Sequence, residues 1–210
     1  MKKQYLAALL LASGPIWAGA STTDNLVKNG SFESYAVGNN SWSTFYGPSS
    51  NGWSTGDAGV EIRNNAVGQA SDGVKFAELD TKANSSIFQS ISTVAGQQYL
   101  LTFDYSNRTG TEVSTNGLAW SFGDTTGTAT SDIKNTSGGN QWLTFSQVVT
   151  ATSANTLLSF FATGKSDSYG SSLDNISLTA VAPVPEPASI ALFMAGLGAL
   201  GIVSRRRKQA

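Results

Sequence analysis

The chain has 210 residues, with 13 Lys and Arg, 14 Asp and Glu, no His and no Cys. Without imidazole or thiol it can build no Ser-His-Asp triad, thiolate nucleophile, ordinary zinc site or disulfide, so paired carboxylates are the main hydrolytic chemistry left open. Lys2, Lys3, Arg205, Arg206, Arg207 and Lys208 sit at the extreme ends, which leaves residues 21–182 with 7 basic against 13 acidic side chains, and a body of net charge −6 offers no basic face to nucleic acid.

In chain order, residues 1–20 read as a signal peptide. Lys2 and Lys3 form a basic start, an apolar run extends from Tyr5 to Ala12, and Ala18-Gly19-Ala20 supplies small residues for cleavage. That run falls well short of the roughly 20 residues a spanning helix needs. The body, 21–182, is predicted to be one all-β domain. Tyr99, Leu101, Phe103 and Tyr105 alternate with Leu100, Thr102 and Asp104, and Leu118, Trp120 and Phe122 alternate with Ala119 and Ser121, the period of strands with one buried face. Further strands are expected at 25–33, 59–63, 74–80, 86–92, 142–150, 155–163 and 173–180, about nine in all, separated by turn signals such as Asn51-Gly52 and Asn116-Gly117. Leu157-Leu158-Ser159-Phe160-Phe161 breaks the alternation and suggests a strand covered on both faces. The stretch from Thr125 to Asn140 reads as a loop. Many short strands without a helical stripe point to an antiparallel sandwich or jelly roll.

After the body, Pro183-Val184-Pro185-Glu186-Pro187 precedes an uncharged stretch from Ala188 to Val203 and then the basic run Arg205-Arg206-Arg207-Lys208. Sixteen residues at 1.5 Å each give about 24 Å of helix, usable as a short membrane span with snorkelling arginines held on the cytoplasmic side.

This tail, residues 183–210, resembles the PEP-CTERM sorting signal: the Pro185-Glu186-Pro187 triplet, a short transmembrane segment and a terminal run with Arg205, Arg206 and Arg207. The resemblance implies transient anchoring in the inner membrane, recognition by an exosortase-type enzyme, and delivery to the cell surface or extracellular matrix. The body also resembles a family. Leu26-Val27-Lys28-Asn29-Gly30-Ser31-Phe32-Glu33, Asn51-Gly52-Trp53, Val60-Glu61, Gln98-Tyr99-Leu100-Leu101-Thr102-Phe103 and Ser172-Leu173-Asp174-Asn175-Ile176-Ser177-Leu178 occur in the order seen in galactose-binding-domain-like sandwiches. That likeness implies a jelly-roll β-sandwich of the carbohydrate-binding-module type, non-catalytic, with polysaccharide as its partner.

The same resemblance suggests a structural calcium where the first and last strands meet, with Glu33 and Asp174 as its carboxylates. Ordinary capping of turn amides is the alternative role for these two acids. For glycan contact the useful groups are exposed aromatic rings beside short polar side chains, which singles out Trp42, Phe45 and Tyr46 in a Ser/Asn/Gly-rich stretch and Tyr169 in the loop Lys165–Ser172. Trp53, Trp120 and Trp142, in motif or strand contexts, are assigned to the core. Glu61, Glu78, Asp80 and Asp104 are the acids available to a hydrolase, with Glu78 and Asp80 on one strand face, but acids at this density occur on any soluble surface. A structural or adhesive protein that binds other proteins is the second reading, and a glycan-acting hydrolase the third.

Overall fold

The computed structural model describes residues 24–182 apart from Ser137. The signal peptide, the Pro185-Glu186-Pro187 triplet, the apolar stretch and Arg205–Arg207 lie outside the described residues. Among the described residues eleven strands follow one another: β1 (Ser41–Phe45), β2 (Ser54–Thr55), β3 (Val60–Asn64), β4 (Lys75–Glu78), β5 (Ser86–Ser92), β6 (Gln98–Ser106), β7 (Leu118–Phe122), β8 (Thr125–Ala129), β9 (Leu143–Thr150), β10 (Asn155–Ala162) and β11 (Ser172–Ala180). One 3-10 turn, Val113–Thr115, interrupts the loop before β7. The strands form an antiparallel sheet of six, in the order β1-β3-β4-β11-β6-β9, and another of five, in the order β2-β5-β10-β7-β8. The all-β expectation is met by these two sheets.

Period-2 alternation decides what lies between them. Ile62, Leu101, Phe103 and Leu178 of the large sheet join Ile87, Leu118, Trp120 and Phe160 of the small one in a single core. The rings of Phe103 and Phe160 meet edge to face at 5.0 Å, and Trp53 and Trp120 are buried as expected.

Several boundaries differ from the sequence reading. No strand forms over 25–33, because Asn29 and Phe32 take left-handed φ values of 53° and 61°. The segment still tracks β11, with a side-chain amide replacing part of a backbone ladder: Asn25 Nδ2 donates to Ile176 O and Asn25 Oδ1 accepts from Leu178 N. β1 falls in the stretch read as irregular, and β8 occupies the first residues of the expected Thr125–Asn140 loop. Leu157 and Phe161 are not covered on both sides: Leu158 and Phe160 enter the core, while Leu157 and Phe161 stand outward, 47% and 39% exposed.

Candidate functional site

Residues directly opposite each other in a ladder share a face, so register alone assembles the outward surface of the large sheet. Trp42 pairs with Arg63, Thr44 with Glu61, and Glu61 with Glu78. Glu78 in turn faces Ser172, and Asp104 faces Asp174.

The half of this surface around Asp104 and Asp174 is roofed by the β3–β4 loop. Asp104 accepts from Ser71 Oγ (2.5 Å), Thr144 Oγ1 (2.6 Å) and Asn175 Nδ2 (3.0 Å). Trp142 belongs to this roof rather than to the core. Its ring packs edge to face on Phe76 at 5.8 Å, and its Nε1 donates to Gln69 O. Glu33 and Asp174 both grip the C-terminal half of the loop. Asp174 Oδ2 accepts from Ser71 N (2.7 Å) and Asp72 N (2.9 Å) and its Oδ1 from Asn175 N (2.8 Å). Glu33 Oε1 accepts from Val74 N and Lys75 N, and Oε2 lies 3.2 Å from Lys75 Nζ.

Every oxygen of both carboxylates therefore already faces an N–H or an ammonium group. That arrangement does not suit a calcium ion, which needs those same lone pairs. Among the described residues, no group of three or more Asp, Glu, His or Cys is placed to hold a metal. Capping of turn amides is the role the geometry gives Glu33 and Asp174. Burial pushes Asp174 up to about 7, against the pull of the amides of Asp72, Asn175 and Ser71.

The other half of the face is open and holds a pocket of about 210 Å³ lined by Trp42, Glu61, Arg63, Thr81, Arg108 and Ser168. Its floor is an ion-pair chain. Arg63 Nη2 lies 2.5 Å from Glu61 Oε1 and 2.7 Å from Glu78 Oε2, and Arg108 Nη1 donates to both Glu78 oxygens at 2.9 and 2.8 Å. Gly170 N adds a further bond to Glu78 Oε1. Glu78 is completely buried, and desolvation lifts it to about 7 although Arg63 and Arg108 both pull it down; the charge of Glu61 adds to the rise. Arg108 is carried by the loop after β6, and its guanidinium stands 4.6 Å over the ring of Tyr169, a cation–π contact that joins this loop to the one before β11.

Of the four aromatic candidates, the structure brings two to this pocket. Trp42, 54% exposed on edge strand β1, lines it, and Tyr169 backs it through Arg108. Tyr46 is 55% exposed and lies just past the end of β1, four residues after Trp42. Phe45 does not belong with them. It turns inward, packs on the core and meets Tyr35 at 4.6 Å, because it sits one residue out of phase with Trp42 and Tyr46. Arg63 and Arg108 were not singled out in the sequence. Val60-Glu61-Ile62-Arg63 does alternate apolar with charged residues, which marks 61 and 63 as outward, but their union with Glu78 and Arg108 depends on long-range register.

The same chain of charges bears on hydrolysis. Glu61 and Glu78 are separated by one guanidinium nitrogen that touches both, so Arg63 fills the space in which a glycosidic bond would have to lie between a catalytic pair. Asp80, buried after β4, accepts from Asp167 N and serves the loop before β11.

A family model described as a protein of unknown function (DUF642) matches residues 25–179. The chain belongs to the DUF642 family. A second model, the PEP-CTERM protein-sorting motif, matches residues 183–208. No curated protein matches the chain. Among solved structures, this DUF642 chain is similar to a family 61 carbohydrate-binding module, TmCBM61, determined in complex with β-1,4-galactotriose, with a TM-score of 0.50 and 16% identity over 76% of this chain and 100% of that one. A family 35 carbohydrate-binding module from Clostridium thermocellum aligns with a TM-score of 0.44 and 14% identity, over 66% of this chain and 97% of that one. An exo-β-1,3-galactanase from Phanerochaete chrysosporium aligns with a TM-score of 0.42 and 13% identity, over 67% of this chain and 29% of that one. At these identities the likeness is one of fold, a β-sandwich shared with carbohydrate-binding modules.

Proposed function

We propose that this chain is an exported, non-catalytic surface or matrix protein whose sandwich, residues 21–182, holds polysaccharide in the Trp42 pocket. The observation that carries the reading is the pocket itself: an exposed indole stands at the rim of a small cavity floored by buried, mutually oriented Glu and Arg side chains. Sugars are recognised by this combination, a ring face for stacking and a few fixed polar groups for hydroxyls. Tyr46, exposed just past the end of β1, offers a second ring for a neighbouring sugar unit. A floor locked by ion pairs is preorganised, so little ordering cost falls on binding. The fold shared with a module solved with galactotriose supports the same reading.

Export rests on the two ends. Residues 1–20 would be removed, and residues 183–210 would hold the chain in the inner membrane until an exosortase-type enzyme acts near Pro185-Glu186-Pro187. A pull-down of polysaccharides with residues 24–182, repeated with Trp42→Ala, tests the binding. Loss of capture with an unchanged melting temperature supports it, and full capture by the variant moves the site elsewhere. Adhesion to a protein partner is the second reading, favoured by Leu157 and Phe161 exposed on the outer face of the small sheet.

A further inference from the structure

The outer face of the small sheet is built from different chemistry. Its five strands contain no charged residue; they supply only apolar, hydroxyl and amide side chains. Register sets the outward ones in rows that cross the strands. Ser86, Phe161, Ala119 and Thr128 form one row, and Phe88, Ser159, Ser121 and Thr126 form the next. At about 4.8 Å between strands, a row of four spans about 14 Å.

Phe161, 39% exposed, is the shared wall of two hollows. Toward β7 and β8 lies one of about 520 Å³, lined also by Ala119, Ser121, Thr126 and Thr128. Toward β5 lies another of about 450 Å³, with Asn84, Ser85 and Ser86 in its lining. Small side chains on either side of one large ring produce this relief. Thr126 and Thr128 are exposed and Ser121 and Ser86 half-buried, so hydroxyls stand at the surface around the ring. Leu157 and Phe161 alone would suit a protein, but Ser159 separates them along β10, and a protein that covered the face would have to find a partner for each hydroxyl. A chain of sugar rings presents the complementary surface: C–H faces for the ring, and hydroxyls that pair with Ser and Thr groups able both to donate and to accept.

We infer that this face is a second, weaker contact for polysaccharide, with the chain crossing the strands over Phe161 and a sugar unit in each hollow. The outer faces of a sandwich point away from each other, so the segment held here is not the one held in the Trp42 pocket. The test silences that pocket. Residues 21–182, which include the compact unit 21–181, are labelled with ¹⁵N in the Trp42→Ala variant and titrated with hexasaccharides from galactan, cellulose, mannan and xylan. At least one should shift the amide signals of Thr126, Gly127, Thr128 and Phe161 with a Kd of about a millimolar. So weak a contact is lost in the washes of a pull-down and does not mask the effect of Trp42→Ala there. Adding Phe161→Ala should weaken the binding about tenfold; should that variant unfold, Thr126→Val, expected to weaken it about threefold, decides. Val148→Ala, on the outer side of β9 in the other sheet, is the control and should change nothing. Absence of these shifts with all four hexasaccharides, or shifts indifferent to the changes at Phe161 and Thr126, overturns the inference whatever Trp42→Ala does to polysaccharide capture. A dimer in sedimentation velocity that Phe161→Ala or Thr126→Val dissociates assigns the face to a second copy of the chain and overturns it as well.

Discussion

Gly30→Ala probes how the beginning and the end of the body are joined. A Cβ at position 30 would lie 2.1 Å from the carbonyl oxygen of Ile176 and 3.0 Å from its carbonyl carbon, backbone atoms that no rotamer change can move aside. Ordinary carbon–oxygen contact is about 3.3 Å, so the two segments would have to part by about 1 Å. Parting them strains the bonds that hold the N-terminal segment to β11, Ile176 N to Gly30 O at 3.1 Å and Asn25 Nδ2 to Ile176 O at 2.9 Å. Overpacking of this kind costs about 1–3 kcal/mol, and two weakened hydrogen bonds add about 1 kcal/mol each. The expected loss is about 3–5 kcal/mol, or roughly 10 °C in Tm for a body of this size. Gly38→Ala is the control, because nothing stands within 4 Å of its Cβ, and it should change stability by less than about 0.5 kcal/mol. Urea unfolding of residues 24–182, followed by the fluorescence of buried Trp53 and Trp120, measures both. A loss below about 1 kcal/mol in Gly30→Ala, or no difference from Gly38→Ala, would refute the steric argument.

Trp42→Ala should abolish glycan capture and leave Tm within a degree or two, whereas Trp120→Ala should cost about 3–5 kcal/mol through the cavity it leaves, as thermal melts of the two variants will show. Glu78 and Asp174 both titrate near 7 in the folded chain but near 4.5 and 3.8 when unfolded, so the native state keeps protons that the unfolded chain releases. Stability should therefore fall as pH rises from about 4 through 7 and level off above, and a urea midpoint higher at pH 8 than at pH 5 would contradict this sign. Millimolar calcium or a chelator should leave Tm unchanged; a calcium-dependent rise that disappears in Asp174→Ala would restore the metal. Glu186→Ala should leave the cell-associated protein at its unprocessed size on a blot, and normal processing would reduce the tail to a plain anchor.

The large strands were legible because one face of each is buried. β6 and β7 announce themselves by alternation that matches the final sheets. β1 and β8 were hidden for a physical reason: both are edge strands made of Ser, Thr, Gly and aromatics, with too little apolar contrast to show a period. Trp42 and Tyr169 were singled out from residue type and local context; Trp42 lines the pocket, and Tyr169 stacks against Arg108. Glu61 and Glu78 were visible only as ordinary surface acids. What distinguishes them is burial beside Arg63 and Arg108, supplied by strand register and by a loop some thirty residues on from Glu78. Trp142 misled because a strand-flanking Trp looks like core, yet its face of the sheet is the outer one, and the loop that covers it could not be read from spacing.

The place of β11 in the large sheet has a kinetic meaning. It is the last strand among the described residues and lies between β4 and β6, so before it arrives the other five strands of its sheet are two separate groups, β1-β3-β4 and β6-β9. Leu178, Ile176 and Leu173, which it brings to the core, and the anchorage of Asn25 and Gly30 arrive with it. A chain emerging N-terminus first, from a ribosome or through a narrow pore, therefore cannot complete this sandwich until nearly all of the body has emerged. Closure is vectorially delayed, and a body that stays open until its final strand emerges is one that can be threaded across a membrane without first being unfolded.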